Sequence, residues 1–195
     1  MFERLLVATT NPGKVREIRR ALDGLPIRLL TLADFPPIQD PEETGDTCAA
    51  NAVLKARYYS ARNGGIATVA EDSGMMVDAL DGRPGVLSAR YPGATYADKS
   101  EGILRELAAH QKPWKAQFVC SLALVEAGDL SYACEAAVEG LMVPPRGSNG
   151  FGYDPMFFYE PFGRTFGEAS DEEKLSVSHR GLAFRQLREW MSTRS

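Results

Sequence analysis

Histidine and cysteine are scarce in this sequence: there are two of the former, His110 and His179, and three of the latter, Cys48, Cys120 and Cys134. A three-histidine zinc site is impossible, and the scattered cysteines lack the paired spacing of a structural zinc site. A disulfide framework needs an even, dense set, so the expected compartment is a reducing cytoplasm. No apolar run approaches the roughly 18 residues that a membrane helix needs. The short stretch Leu5 to Ala8, with Glu3 and Arg4 before it, does not make a signal peptide. Neither G-x-S-x-G nor H-E-x-x-H occurs. Charge of one sign is lacking too: 22 Lys+Arg stand against 26 Asp+Glu, a net charge of −4. That balance excludes holding a nucleic-acid polymer by bulk electrostatics. The chemistry left open runs through carboxylates, lysines or a metal that they hold.

What is present suits one soluble domain spanning residues 1–195, since 44% of the 195 residues are apolar and 25% charged. Arg4 to Thr9 reads as a buried strand, and Val15, Ile18 and Leu22 then recur at helical spacing. Ile27 to Leu32 reads as a second strand. Thr47 to Arg62 reads as a helix, with Ala50, Val53, Leu54, Tyr58 and Ala61 expected inward. Ile66 to Ala70 is the next strand, followed by Glu71-Asp72-Ser73-Gly74 as a loop and an extended piece through Met76, Val77 and Ala79. Tyr96 to His110 reads as a helix with Ile103, Leu104, Leu107 and Ala108 on one stripe. Alternation then takes over, through Ala116, Phe118, Cys120, Leu122 and Leu124 and, past Ala127-Gly128-Asp129, through Tyr132, Cys134, Ala136 and Val138: a long antiparallel hairpin. A last helix from about Ser178 carries Ala183, Phe184, Leu187, Trp190 and Met191 on one face. The expected fold is α/β, a mixed sheet with flanking helices.

Several loops carry residues suited to chemistry. Thr9-Thr10-Asn11-Pro12-Gly13-Lys14 fails as a Walker loop, because Ala8 replaces its first Gly and Val15 its Ser or Thr. A helix start with free N–H groups and a lysine still suits a phosphate; the alternative is a plain N-cap at Asn11 with Pro12 in the first turn. Glu42-Glu43-Thr44-Gly45-Asp46 and Glu71-Asp72-Ser73-Gly74 are acidic clusters whose hard oxygens suit Mg²⁺ shared with substrate phosphates, or are solvated turn acids. Thr47, Asn51 and Lys55 lie on one i, i+4 line between them, facing phosphate or water. Gly147 to Pro155 sets Phe151 and Tyr153 among glycines, where a ring can lie against a base or plug the core. Lys174 and Ser178-His179-Arg180-Gly181 sit near and at the last helix's start.

In this order the motifs resemble the inosine triphosphate pyrophosphatase family, enzymes that hydrolyse deaminated purine triphosphates. The matching segments are residues 9–14; Glu42-Glu43-Thr44-Gly45; Asn51-Ala52 with Lys55-Ala56; Glu71-Asp72-Ser73-Gly74; Gly82-Arg83-Pro84-Gly85-Val86 with Ser88-Ala89-Arg90-Tyr91; Phe151-Gly152-Tyr153-Asp154-Pro155; and Lys174 with Ser178-His179-Arg180-Gly181. The resemblance spans nearly the whole chain. It implies an elongated mixed sheet with a central nucleotide cleft between two lobes, a Mg²⁺-dependent homodimer, and cleavage between the α and β phosphates of ITP, dITP or XTP. It also implies that Thr9, Thr10, Asn11, Pro12, Gly13 and Lys14 cradle phosphate, that Glu42 and Asp72 serve the metal, and that Asp72 is the proton acceptor. Ser73, Phe151, Gly152, Tyr153, Asp154, Lys174, His179 and Arg180 are implied nucleotide contacts.

Those residue types suit the reaction, because attack by water on a phosphoryl group needs neutralised oxygens and one base more than a covalent nucleophile. His179 and Arg180 can donate to the 6-keto oxygen of hypoxanthine or xanthine, whereas adenine's 6-amino group meets them donor to donor. One departure stands out: the family carries Glu directly before Asn-Ala on the second helix, and here that residue is Ala50. Two other readings remain at this stage. One is a septum-inhibitor-type pyrophosphatase acting on pyrimidine or modified nucleotides, which lacks the Ser-His-Arg-Gly signature. The other is a catalytically silent nucleotide-binding protein.

Overall fold

In the computed structural model, which describes residues 2–194, the regular elements in chain order are β1 (Arg4–Val7), α1 (Pro12–Ala21), β2 (Arg28–Thr31), α2 (Cys48–Arg62), β3 (Thr68–Val77), β4 (Pro84–Gly85), α3 (Tyr96–Leu107), β5 (Trp114–Glu126), β6 (Asp129–Met142), β7 (Phe157–Tyr159), β8 (Arg164–Thr165), α4 (Asp171–Val177) and α5 (His179–Ser192). Strands follow the hydrogen-bonded order β2-β1-β3-β5-β6-β7-β8, with β4 on β3. Parallel pairs (β1 with β2 and β3) and antiparallel pairs (β3 with β4, β6 with β7, β7 with β8) make the sheet mixed, as expected. The chain divides into two compact units of separated segments: one runs up to Asp72 and takes in Cys120–Ala136 and the chain from Arg180, and the other holds Ser73–Val119 and Ala137–His179.

The first unit follows from the period of two along its strands. Leu5 and Val7 pack with Ile18 of α1, with its C-cap Leu22, and with Ala183, Phe184 and Leu187 of α5. Leu6 and, just past the strand, Ala8 face the other way and pack with Ala52, Ala56 and Tyr59 of α2. Phe184 and Leu187 are fully buried, each worth about 1.5–3 kcal/mol of apolar burial. The turn between β5 and β6 is Ala127-Gly128, both at positive φ (50° and 95°), the two-residue geometry whose twist matches a hairpin.

The inward face of α2 differs from the expected one. Its buried residues are Cys48, Asn51, Ala52, Ala56, Tyr59 and Ser60, while Ala50 and Ala61 are exposed and Val53, Leu54 and Tyr58 only half-buried. Two alanines let the helix sit close on the sheet, and the buried polar groups are satisfied: Asn51 Oδ1 accepts from Gly45 N at 2.8 Å, and Ser60 Oγ donates to the Ile66 carbonyl at 3.0 Å. An alanine-rich helix offers two apolar stripes, and periodicity does not choose between them.

In the second unit β4 pairs with β3 in the register Met75↔Gly85 and Met76↔Pro84. Met75, Val77, Ile103, Leu107, Trp114, Phe118, Phe157 and Phe166 belong to its core. The segment expected as a loop, Glu71-Asp72-Ser73-Gly74, is instead the middle of β3. Gly74 serves close approach there: a Cβ on it would lie 2.3 Å from the Gly85 carbonyl oxygen. Helix α3 ends at Leu107 rather than His110, which leaves Ala108 exposed and off the stripe. The sequence reading did not anticipate α4, which starts at a capping box between Ser170 and Glu173. Ser178 is its C-cap, and α5 begins one residue later.

Candidate active site

The phosphate-loop candidate sits where β1 ends and α1 begins. Asn11 Oδ1 caps the helix, accepting from Gly13 N at 2.9 Å and Lys14 N at 3.1 Å, while Asn11 N donates to Thr9 Oγ1 at 3.2 Å. The N-cap weighed from the sequence is present, at Asn11 with Pro12 in the first turn; it occupies the Gly13 and Lys14 N–H groups, and the Lys14 side chain lies in the same first turn. Thr10 and Pro12 are exposed, and Gly13 is buried.

Strand β3 supplies two carboxylates to two different surroundings. Glu71, 2% exposed, accepts from Lys14 Nζ at 2.8 Å and from Arg180 Nη2 at 3.3 Å. Burial pushes its carboxyl upward, but Arg180, Lys14 and Lys55 outweigh that and hold it below the usual carboxylate range. Asp72, 7% exposed, accepts from Lys55 Nζ at 2.8 Å and lies 3.4 Å from Asn51 Nδ2. Lys55 also donates to Glu43 at 2.7 Å. Burial works against its charge, yet Asp72 and Glu71 raise its pKa above the ordinary lysine value. The Cys48 thiol, at the start of the same helix, is pushed up to about 12 by burial and by Asp72.

Residues 42–46 form a loop before α2. Glu42 is exposed, and its neighbour Glu43 is the carboxylate that Lys55 ties to Asp72. Ala50 is also exposed, and its Cβ lies 2.8 Å from where a Cβ on Gly45 would stand.

In the second unit Asp154 organises the glycine-aromatic loop. It is 3% exposed, and its Oδ2 accepts from Phe151 N at 2.7 Å and from Lys174 Nζ at 2.5 Å. Gly150, at φ 73°, leaves room for that carboxylate, since a Cβ there would lie 2.1 Å from Asp154 Oδ2. Lys174 Nζ stands 4.6 Å from the centroid of the half-buried Phe151 ring, an ammonium over an aromatic face. Tyr153 is buried, donates to the Ser88 carbonyl at 2.9 Å, and meets Tyr96 edge-on, centroids 5.1 Å apart. Gly152, at φ 66°, lies beside the Tyr96 ring. Ser73 is half-buried on β3. His179, 4% exposed, stacks on Phe118 with centroids 4.9 Å apart.

Arg180 belongs to the first unit. It is 1% exposed, and its Nη1 donates to Glu17 Oε2 at 2.6 Å. Two carboxylates raise its already high pKa against the opposing effect of burial. Glu17 was not singled out from the sequence: it reads there as an ordinary helix acid, and only its spacing of three residues from Lys14 hints at a shared face.

A lysine in the first turn of a capped helix, a buried aspartate tied to a helix lysine, and an aromatic loop closed by a buried Lys–Asp pair are each arrangements that suit nucleotide chemistry. The profile of the Ham1 family matches residues 5–190, and the chain belongs to that family. A dITP/XTP pyrophosphatase of Geobacter sulfurreducens is 45% identical over 192 residues, covering 95% of each chain. One of Thermus thermophilus is 46% identical over 189 residues, covering 95% of this chain and 90% of its own. Among solved structures, a HAM1 protein from Coxiella burnetii superposes with a TM-score of 0.89 at 36% identity, covering 99% of this chain and all of its own.

Proposed function

We propose that this chain hydrolyses the deaminated purine nucleoside triphosphates ITP, dITP and XTP to the monophosphate and pyrophosphate, cleansing the nucleotide pool. Membership of the Ham1 family and the names of its relatives support that reaction. The observation in the fold that carries it is Asp72, buried on β3 with the Lys55 ammonium at 2.8 Å. A carboxylate so held is oriented to accept the proton of an attacking water. Thr9, Thr10, Asn11, Pro12, Gly13 and Lys14 hold the phosphates. Ser73, Phe151, Gly152, Tyr153, Asp154 and Lys174 take the nucleoside, and His179 and Arg180 carry donors for the 6-keto oxygen. Of those two the weight falls on His179, because the Arg180 guanidinium is directed at Glu17 and Glu71.

Mg²⁺ is the proposed cofactor, with Asp72 and Glu42 as its ligands. The donor chemistry fits: Asp72 holds a hard oxygen at the Lys55 ammonium, and Glu42 is an exposed carboxylate adjacent in sequence to Glu43, which binds that same ammonium. Among the described residues no group of three His, Cys, Asp or Glu is poised to hold a metal, and Mg²⁺ characteristically takes one or two protein carboxylates together with substrate phosphates. When bound, the ion neutralises phosphate oxygens.

A cytoplasmic homodimer completes the proposal. Among the described residues no helix is long and apolar enough to cross a membrane. Pyrophosphate release from a panel of dITP, XTP, dATP, dGTP and dTTP with Mg²⁺ tests the reaction. Turnover of dITP and XTP far above the others is expected, and equal rates across the panel would remove the proposal.

A further inference from the structure

We propose that Glu71 is a positioning residue: its carboxylate holds the Lys14 ammonium in place at the start of α1, and Arg180 with Glu17 fixes the carboxylate that does so. The inference rests on the reading of Lys14 as a phosphate ligand.

The four side chains form one continuous network. Lys14 Nζ lies 2.8 Å from Glu71 Oε1; Arg180 donates to that same oxygen from Nη2 at 3.3 Å and from Nε at 3.4 Å, and from Nη1 to Glu17 at 2.6 Å. Exposure falls sharply away from the lysine: side-chain values are 17% for Lys14 but 0% for Glu71, 2% for Arg180 and 6% for Glu17. An anion arriving from solvent therefore meets Lys14 first. Glu17, Glu71 and Arg180 together leave one negative charge, and the lysine balances it. That charge draws the ammonium to one spot, so the rotamer freedom of a long side chain is lost on folding instead of on binding. Arg180 suits the inner position because its planar fork aims separate N–H groups at the two carboxylates, Nη1 at Glu17 and Nη2 with Nε at Glu71.

This role has the opposite sign from a simple charge effect. If Glu71 were only a negative charge near a phosphate, neutralising it would tighten anion binding. If it anchors Lys14, neutralising it weakens binding, because the ammonium is no longer held for the phosphate.

Calorimetric titration with inorganic pyrophosphate in Mg²⁺ buffer separates the two. Glu71→Gln is expected to bind about tenfold more weakly than wild type, on the order of one charge-assisted contact. In a Lys14→Met background the same substitution is expected to cost nothing further, because the group it positions is gone. Glu71→Asp keeps the charge that Arg180 needs but draws the carboxylate back by one methylene, so it supplies a folded variant with a misplaced anchor; weaker binding is expected there too. Unchanged or tighter binding in a folded Glu71 variant, while Lys14→Met binds weakly, overturns the inference and leaves the proposed function standing. Failure of both Glu71 variants to fold makes the carboxylate a structural counter-charge alone and overturns it as well. Wild-type affinity in Lys14→Met removes the phosphate reading of that lysine, and the inference with it.

Discussion

Glu71 and Asp72 are consecutive residues of one strand and present their carboxylates to opposite faces of the sheet. Glu71 meets Lys14 of α1 and Arg180 of α5, and Asp72 meets Asn51 and Lys55 of α2. The alternation continues that of Val69, in the core with α1 and α5, and Ala70, in the core with α2. A turn would have left both acids in one solvated loop. A strand gives each its own hydrogen-bonded cations, so two adjacent carboxylates stand in two different surroundings.

The Asp72→Asn protein is expected to fold like wild type, since the amide keeps the shape and can still accept from Lys55. Turnover of dITP should fall by about 10²–10⁴-fold, the usual contribution of a general base. A kcat near wild type would remove Asp72 from the chemistry.

For Arg180→Ala the expected loss is in stability. The substitution leaves Glu17 and Glu71 buried with their shared counter-charge gone, and breaking such a cluster costs about 3–5 kcal/mol. Thermal melting reads this directly. His179→Ala also removes a buried ring stacked on Phe118, so its readout is the ratio of kcat/KM for dITP over dATP, which should fall. If Arg180→Ala melts like wild type and loses only that ratio, Arg180 reads the base edge and the buried network contributes little.

Gly74→Ala tests why a motif with the composition of a turn runs straight. The added Cβ would meet the Gly85 backbone at 2.3 Å, where no flexible side chain can yield. Strand β4 must shift, at a cost of about 1–3 kcal/mol. A melting temperature equal to wild type would mean that β4 moves freely.

That same segment marks the limit of the sequence reading. Helices α1 and α5 and the β5–β6 hairpin were legible because their apolar periods are clean and local, and residues 9–14 were legible as strand, loop and helix. Asp-Ser-Gly, by contrast, carries turn chemistry locally, and only the approach of Gly85 shows that Gly74 is needed inside a strand. Helix α2 has two apolar stripes, of which the one with the smaller side chains is buried. In the candidate site the motifs stand out by resemblance, but the pairing of Arg180 with Glu17 joins residues 163 positions apart. No spacing rule reaches that far; the pairing follows from α1 and α5 lying on the same face of the sheet.

Stability at high pH should follow two half-buried phenols, Tyr91 and Tyr132. Burial, with a hydrogen bond to Glu106 for Tyr91 and to Cys134 for Tyr132, pushes both phenols up to about 12. In the unfolded chain a phenol ionises near pH 10. The neutral ring is thus favoured by folding: this contribution is complete below about pH 10 and is lost as pH rises toward 12. Melting temperature is expected to decline across that window, and less steeply for Tyr91→Phe. Identical slopes for the variant and wild type would show that Tyr91 carries none of this dependence.

Ala50 offers the most direct test of the metal proposal. It is exposed on α2, beside Gly45 of the acidic loop, so a longer side chain there incurs no burial penalty, and Glu differs little from Ala in helix propensity. Ala50→Glu is therefore expected to melt within about 0.5 kcal/mol of wild type, as surface changes do. Its carboxylate adds negative charge near Glu42 and Glu43 and should lower the Mg²⁺ concentration that gives half-maximal dITP hydrolysis. The dITP over dATP preference should not move, because the residues proposed for the base are untouched. Activity of both proteins should vanish in EDTA and return with Mg²⁺, and poorly with Ca²⁺, whose longer and looser coordination suits in-line attack badly. A variant that melts normally and shows an unchanged Mg²⁺ dependence would place the metal away from the loop that Gly45 and Ala50 share.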